Sequence, residues 1–170
     1  HSTFIRDIDK LVRMLDDDVV FFLKGKGNYV ETLNAYSDGA GKNVLDIVDS
    51  QRVFFISDEI YTSQLLGMSN FVISMSFTSP TIEGLAAGVP SVYYDPCALF
   101  PGSGFRDIDN LYFSSFDELS HFCLEVLDGN KLKVDQWVQV ARKGIGITSN
   151  RGGVDVICSD IYDEINEAVE

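Results

Sequence analysis

Hydroxyl and carboxylate side chains cluster in one stretch of the sequence, residues 71–96, which reads FVISMSFTSPTIEGLAAGVPSVYYDP. Within it, Thr78 and Ser79 precede Pro80. A hydroxyl residue followed by proline is typical of the start of a helix, and we expect Ser79 to cap the helix and Pro80 to be its first residue. A helix start directs unpaired amides and a partial positive charge outward, which suits a phosphate group. A cap with a purely structural role is the alternative.

Two apolar runs flank this helix and predict the strands that position it. Phe71–Ile73 and Val89–Tyr94 consist of strand-forming residues, so the segment is typical of a βαβ unit. Gly84 and two alanines keep the helix thin enough to lie close against the sheet, and Gly88 is expected to end it in the left-handed conformation. The predicted helix start therefore lies at the carboxyl end of a parallel strand.

A second candidate anion site follows the predicted first strand. Val19–Leu23 is a fully apolar run, as buried parallel strands are, and it ends in Lys24-Gly25-Lys26-Gly27. The glycines would let the backbone approach an anion, and Lys24 or Lys26 would supply positive charge. The pattern matches neither the GxGxxG nor the Walker loop, so a solvated turn is an equal alternative.

The central stretch resembles part of a known enzyme family. The run at residues 81–92, TIEGLAAGVPSV, resembles the segment of GT-B glycosyltransferases in which a glutamate, a helix of small residues and a Gly-x-Pro precede a strand. That segment belongs to the carboxyl-terminal half of these enzymes, which binds the nucleotide sugar. Residues 53–76 are similar to the strand, loop, helix and strand before it in the peptidoglycan N-acetylglucosaminyltransferase. The rest of the chain is compatible only in the order of its elements.

The resemblance implies a transferase that uses a nucleotide sugar, a UDP-sugar foremost, in the synthesis of cell-surface polysaccharide or glycoconjugate. Glu83 would accept hydrogen bonds from the ribose hydroxyls, whereas a purely structural Glu83 would interact with the helix dipole from the first turn. The backbone at Ile56 would lie against the base. The helix start and the lysines would balance the charge of the diphosphate, so neither a metal ion nor another cofactor is implied. The implied nucleotide-sugar-binding residues are Lys24, Lys26, Ile56, Thr78, Ser79, Thr81 and Glu83.

The type of reaction is less defined than the donor. Met75 stands where retaining members of the family commonly carry a second glutamate, which favours an inverting or atypical member. A catalytic base is not identifiable, and in such enzymes it usually belongs to the other domain.

An enzyme similar to a UDP-N-acetylhexosamine 2-epimerase is an alternative to a transferase. It would need carboxylates around the sugar, for which Asp95, Asp107 and Asp109 are candidates, although these acids also fit solvated loops. A Rossmann-like binding domain without chemistry is the third possibility.

Alternating apolar strands and amphipathic helices predict an α/β fold for residues 1–170 as a single domain. We expect a Rossmann-like, doubly wound parallel sheet of five or six strands in a three-layer α/β/α arrangement. By the resemblance, this domain is one half of a GT-B fold. The other predicted elements are helices at 4–15, 28–38, 116–126, 134–143 and 154–165 and a short strand at 111–113.

The helix before the central unit has two candidate starts. It follows the predicted strand Val53–Ile56, and either Ser57 or Asp58 is expected to cap it. The residues that would face the sheet from this helix are Tyr61, Leu65 and Met68.

Composition limits the partners and the location. With 13 basic and 26 acidic residues, the formal charge of −13 argues against a nucleic acid or an anionic membrane surface as the main partner. Cys97, Cys123 and Cys158 are odd in number and far apart, which indicates neither a disulfide framework nor a zinc site. No apolar run reaches the roughly 18 residues of a membrane span. We expect a cytoplasmic protein, or one that is peripheral at the inner face of the plasma membrane through a missing half.

The first residue is His1, which indicates a carboxyl-terminal piece of a longer protein. By the resemblance, the missing part is an amino-terminal domain that binds the acceptor. Because GT-B chemistry takes place between two halves, we expect the isolated domain to be inactive as a transferase.

Overall fold

The computed structural model describes residues 2–25, 51–76, 78–99 and 104–147. In chain order, the described elements are α1 (Ser2–Met14), β1 (Phe21–Leu23), β2 (Val53–Phe55), α2 (Thr62–Leu66), β3 (Val72–Met75), α3 (Ser79–Ala86), β4 (Ser91–Tyr94), a 3-10 helix (Gly104–Asp107), β5 (Tyr112–Phe113), α4 (Phe116–Leu127) and α5 (Lys131–Gly144). All described pairings are parallel, β1 with β2 and β4 with both β3 and β5. Parallel sheets flanked by helices confirm the predicted α/β, Rossmann-like class. The predicted helices at 28–38 and 154–165 lie outside the described residues.

The sheet formed by β3, β4 and β5 lies between two layers of helices. In β4, Val92 and Tyr94 belong to the apolar core that includes α1 and α4. Tyr93, between them, packs instead with Leu85 of α3 and Ala141 of α5. Because successive side chains of a strand point to opposite faces, α1 and α4 cover one face of the sheet and α3 and α5 the other. This part of the chain therefore has the three-layer α/β/α arrangement.

The first helix, α1, is tied to the sheet by polar contacts as well as by its apolar face. Ile5 and Leu11, on that face, are fully buried. Asp7 is also buried, and its carboxylate accepts hydrogen bonds from the hydroxyl of Tyr94 at 2.7 Å and from Nζ of Lys10 at 2.8 Å. Burial and the neighbouring Asp7 carboxylate raise the pKa of Tyr94, so its hydroxyl is a donor at neutral pH.

Arg52 closes the carboxyl-terminal end of α1. Its guanidinium donates to the backbone carbonyls of Val12, Leu15 and Asp16 at 2.5, 3.1 and 2.7 Å, respectively. Its own carbonyl accepts a hydrogen bond of 2.7 Å from the amide of Phe21. The last carbonyls of a helix have no partner within the helix, and a cation interacts favourably with that end of the dipole. A single residue therefore joins α1, through its side chain, to the starts of β1 and β2.

The second helix, α2, begins later than the sequence predicts. Tyr61 is its N-cap, and the predicted caps, Ser57 and Asp58, lie in the preceding loop. Ser57 forms a turn of its own there, because its hydroxyl accepts from the amide of Glu59 at 3.3 Å and its carbonyl from the amide of Ile60 at 3.1 Å. These local hydrogen bonds compete with helix formation, and they explain why the predicted start is wrong.

The shorter helix also changes which residues reach the core. Leu66 is the buried residue of α2, while Tyr61 and Met68 are 73% and 63% exposed. Tyr61 precedes the helix and Met68 follows it, so neither shares its buried stripe. The prediction that these two side chains face the sheet is wrong. Leu65, the third member of the predicted set, is partly buried.

The last two described helices, α4 and α5, follow the predicted pattern with one change. Ser115 is the N-cap of α4, as predicted, although its side chain makes no capping hydrogen bond. α5 begins three residues before the predicted Val134, because the side chain of Asn130 accepts a hydrogen bond of 3.2 Å from the amide of Lys133 and so caps an earlier turn. Trp137 packs against Phe122 with ring centroids 4.8 Å apart.

His121 and the cysteines are further side chains with reactive groups. His121 is exposed, and its Nε2 lies 3.7 Å from Glu125. Cys97 and Cys123 carry free thiols, and burial raises the pKa of Cys123 to about 12. Cys158 lies outside the described residues. Of the helices described, none combines the length and the apolar composition that crossing a bilayer requires.

The central helix, α3, ends where the sequence predicts. Gly88 adopts a φ of 81°. Its amide donates to the carbonyl of Leu85 at 3.0 Å, and the amide of Val89 donates to that of Gly84 at 2.8 Å. This pair of bonds is the Schellman motif, which requires a left-handed residue after the helix. Gly84 is needed for a different reason, because a Cβ atom there would lie 2.1 Å from Oγ of Ser91 in β4.

We expect Gly84→Ala to lower the free energy of unfolding by about 1–3 kcal/mol, the usual range for an overfilled core. The matched control is Gly67→Ala, whose Cβ would meet only the carbonyl oxygen of Gln64, at 3.7 Å. Urea denaturation compares the two variants. Adding Ser91→Ala to Gly84→Ala should recover part of the loss, because it removes the nearest atom. Equal stability of the two glycine variants would contradict the close contact between α3 and β4.

Candidate functional site

The candidate site residues form two groups, each at the carboxyl ends of strands, where α/β proteins bind ligands. The helix-start group lies where β3 passes into α3 and consists of Ser76, Thr78, Ser79, Thr81 and Glu83. The corner group lies where β1 and β2 end and consists of Lys24, Ile56, Ser57 and Asp58. Lys26 lies outside the described residues.

The N-cap of α3 is Thr78, so the helix begins one residue earlier than predicted. Thr78 has an extended backbone, with φ −103° and ψ 148°. Its hydroxyl donates to the carbonyl of Met75 at 2.7 Å and caps no amide of the helix. Ser79 is then the first helical residue and Pro80 the second. Proline fits either position because the first amides of a helix have no partner within it.

The two hydroxyl residues in the first turn of α3 face different environments. Ser79 is exposed. Thr81 is fully buried, and its hydroxyl donates to the carbonyl of Val92 at 2.9 Å and lies 2.6 Å from Oγ of Ser74. The side chain of Thr81 therefore holds the helix against β3 and β4. Of the donor groups of Thr81, only the backbone amide lies at the start of the helix.

Glu83 lies in the second turn of α3, not in the first turn that the sequence predicts. The helix dipole acts mainly within the first turn, so it does not account for this residue. Glu83 is half-buried, and within the described parts of the chain its carboxylate makes no hydrogen bond or ion pair. Ser79 and Glu83 are four residues apart and therefore adjacent on one helix face, with about 5–6 Å between such Cβ atoms.

Ser76 is a member of the helix-start group that the sequence analysis did not identify. It follows the last residue of β3, and its hydroxyl oxygen is buried without a hydrogen-bond partner among the described residues. It lies two residues after Ser74, so the pleat of the strand places both on the side that α3 covers. The alternation of Ser74 and Ser76 in an otherwise apolar strand is the signal in the sequence.

The corner group links the ends of the first two strands. Nζ of Lys24 donates to the carbonyl of Ser57 at 3.1 Å and lies 3.9 Å from the carboxylate of Asp58. The amide of Ile56 donates to the carbonyl of Leu23 at 3.0 Å. A ligand at Ile56 would therefore meet the carbonyl oxygen and not the amide hydrogen. Lys24 has a structural role here that the sequence pattern does not reveal.

The three acids considered for an epimerase have different environments. Asp95 is buried, and its carboxylate accepts a hydrogen bond of 2.5 Å from the hydroxyl of Tyr112. Burial, together with the Asp95 carboxylate, raises the pKa of Tyr112. Asp107 and Asp109 are exposed. Asp95 therefore supports the sheet. Among the described residues, no cluster of His, Cys, Asp or Glu has the arrangement of a metal site.

Comparison with known proteins assigns the chain to a family. A family model described as "Polysaccharide biosynthesis PFTS motif protein" matches residues 1–123. The matched range contains both candidate groups and every element from α1 to β5, and it ends within α4. A search of curated proteins gave no match.

We expect Thr81→Val to lower the free energy of unfolding by about 1–3 kcal/mol, because it removes a buried hydroxyl that is bonded to Val92 and leaves Ser74 with one partner fewer. Ser79→Ala, two residues away, is the control and should change stability little, since that side chain is exposed. Thermal or urea denaturation measures both. A stable Thr81→Val variant would show that the hydroxyl does not anchor the helix.

Proposed function

We propose that this chain, which belongs to the polysaccharide biosynthesis PFTS motif family, is the nucleotide-sugar-binding half of a glycosyltransferase. Membership of the family gives the chain a role in polysaccharide biosynthesis. The finer part of the proposal is that the helix-start group binds the diphosphate and ribose of the donor, with a UDP-sugar as the first candidate. The reaction would transfer the glycosyl group to an acceptor held by a second domain.

A likeness between residues 76–79 and the letters in the family's description supports this proposal most directly. If the letters PFTS are one-letter residue codes, their counterpart in this chain is Ser76-Phe77-Thr78-Ser79, with serine in place of proline. Ser76 follows the last residue of β3, Thr78 is the N-cap of α3 and Ser79 is its first residue. The segment that gives the family its name would therefore supply the helix start that the sequence predicts as a phosphate site.

The helix-start group offers the right kind of donors for a diphosphate. The amides of Ser79 and Thr81 are in the first turn of α3, where amides have no partner within the helix. The buried hydroxyl of Ser76, which has no hydrogen-bond partner among the described residues, lies at the same end of β3 and would be a further donor. A helix start carries roughly half a positive charge. These groups would stabilise the charge of a departing nucleoside diphosphate without a metal ion.

The location of Glu83 on α3 supports a role in binding the ribose. It lies one turn beyond Ser79 on the same face of α3, about 5–6 Å away between Cβ atoms. A phosphate at Ser79 and a ribose at Glu83 would be neighbours, as they are in a nucleotide. Since its carboxylate has no partner among the described residues, it is able to accept two hydroxyl donors.

The remaining parts of the proposal concern the rest of the enzyme. Lys24 would add positive charge, and the carbonyl of Ile56 would meet the base. The acceptor and the catalytic base would belong to a second, amino-terminal domain, so this chain alone would be inactive as a transferase. The complete enzyme would act in the cytoplasm, where nucleotide sugars are its donors, or at the inner face of the plasma membrane.

We expect Glu83→Gln to weaken UDP binding about ten- to a hundredfold, because hydrogen bonds to a charged acceptor contribute about 1.5–3 kcal/mol. Isothermal titration with UDP and with 2′,3′-dideoxy-UDP measures the effect. The losses from the mutation and from the missing hydroxyls should be non-additive, since both remove the same bonds.

The control for this experiment is Glu118→Gln, which makes the same change of charge at an exposed glutamate of α4. It should leave UDP binding unchanged. Additive losses for Glu83→Gln and the dideoxy ligand, or an unaltered affinity of the mutant for UDP, would show that Glu83 does not bind ribose.

Lys24 is tested by comparing ligands with and without phosphate. We expect Lys24→Ala to weaken UDP binding more than uridine binding, because a cation near the strand ends interacts with the diphosphate. Lys131→Ala, at the start of α5, is the control for net charge. If both ligands lose affinity equally and the melting temperature falls, Lys24 only holds the ends of β1 and β2 together through Ser57.

A further inference from the structure

Tyr93 is a buried polar residue that lies beneath the proposed site. It belongs to β4, is 1% exposed, and points to the side of the sheet that α3 and α5 cover. Its hydroxyl donates a hydrogen bond of 3.2 Å to the carbonyl of Thr78, the N-cap of α3. The ring of Phe105 packs on the ring of Tyr93, with centroids 5.3 Å apart. The hydroxyl is therefore held at the start of the helix.

We infer that Tyr93 is a positioning residue that increases the affinity of the helix-start group for phosphate oxygens. The inference rests on the proposed function. Its basis is the peptide unit between Thr78 and Ser79, whose carbonyl accepts the hydrogen bond from Tyr93. The N–H of the same peptide unit is the first amide of α3 and one of the proposed phosphate donors.

Two physical effects connect the tyrosine to the ligand. The first is polarisation: in a chain of hydrogen bonds, each bond strengthens the next by about 10–30%. Donation to the carbonyl of Thr78 makes the amide of Ser79 a stronger donor. The second is geometry. The hydroxyl of Thr78 bonds to Met75 and does not cap the helix, so Tyr93 contributes a side-chain bond that fixes the N-cap carbonyl.

Tyr93 can act as a donor throughout the neutral pH range. Burial raises its pKa above the ordinary value for tyrosine, so the hydroxyl keeps its proton. A buried hydroxyl also has no competing water, which strengthens its bond to the carbonyl.

Tyr94 provides a matched control for Tyr93. The two residues are consecutive and equally buried, at 1% exposure each. The hydroxyl of Tyr94 is also hydrogen-bonded, but to Asp7 on the opposite face of the sheet. Phenylalanine at either position removes one buried hydroxyl, and only the change at Tyr93 alters the start of α3.

The test is a titration of wild type, Tyr93→Phe and Tyr94→Phe with UDP and with uridine. We expect Tyr93→Phe to weaken UDP binding about 1.3- to 5-fold, the loss of about 10–30% of one hydrogen bond to a charged group, and to leave uridine binding unchanged. Tyr94→Phe should leave both affinities unchanged although it lowers stability. In NMR spectra, the amide proton of Ser79 should shift upfield in Tyr93→Phe and not in Tyr94→Phe.

The outcomes separate this inference from the proposed function. If wild type binds UDP and Tyr93→Phe binds it equally well, the inference is overturned and the proposed function stands. The same holds if Tyr93→Phe loses affinity for UDP and for uridine to the same extent. If wild type binds no UDP, the proposed function fails and the inference fails with it. Should Tyr93→Phe not fold, Phe105→Leu replaces it, since it loosens the tyrosine ring but keeps the hydroxyl. UDP affinity that is unchanged in this variant would overturn the inference.

Discussion

Both tyrosine hydroxyls of β4 must find partners inside the protein, because every residue of this strand is buried. A buried hydroxyl without a partner destabilises a protein by about 1–3 kcal/mol. Tyr94 meets this requirement through Asp7 on α1, and Tyr93 through the carbonyl of Thr78 at the start of α3. The need to pair two adjacent hydroxyls therefore fixes the first helix on one face of the sheet and the start of the candidate site on the other.

The candidate site depends on a helix that is too short to be stable alone. Isolated helices shorter than about 12–15 residues are marginal in water, so the eight residues of α3 rely on packing. Gly84 allows close contact with β4, and Thr81 hydrogen-bonds to the strand beneath it. These contacts hold the first turn of α3 against the sheet. Ser79, on the other side of that turn, is exposed. Amides that are fixed in this way need little reordering when a ligand binds.

Local signals in the sequence predict the fold class and the end of α3, whereas the details of the site depend on distant contacts. Gly88 follows small residues and precedes an apolar run, so its left-handed conformation is predictable. Thr78 and Ser79 are both suitable caps. Which of them is the N-cap depends on the hydrogen bond from the hydroxyl of Thr78 to the carbonyl of Met75. Thr81 belongs to a type that binds phosphate, but its burial depends on a strand that lies later in the chain. The contact between Tyr93 and Thr78 has no local signal at all.

Charge limits how this chain can hold an anion. Its formal charge of −13 repels polyanions such as nucleic acids. At physiological salt, exposed charges farther apart than about 8 Å are largely screened, whereas a hydrogen-bonded phosphate lies about 3 Å from the amides that bind it. Amides and hydroxyls at a helix start act within this short distance and need no excess of lysine or arginine. An acidic chain can therefore bind a small phosphate group that enters the site, while its overall charge still opposes association with larger anions.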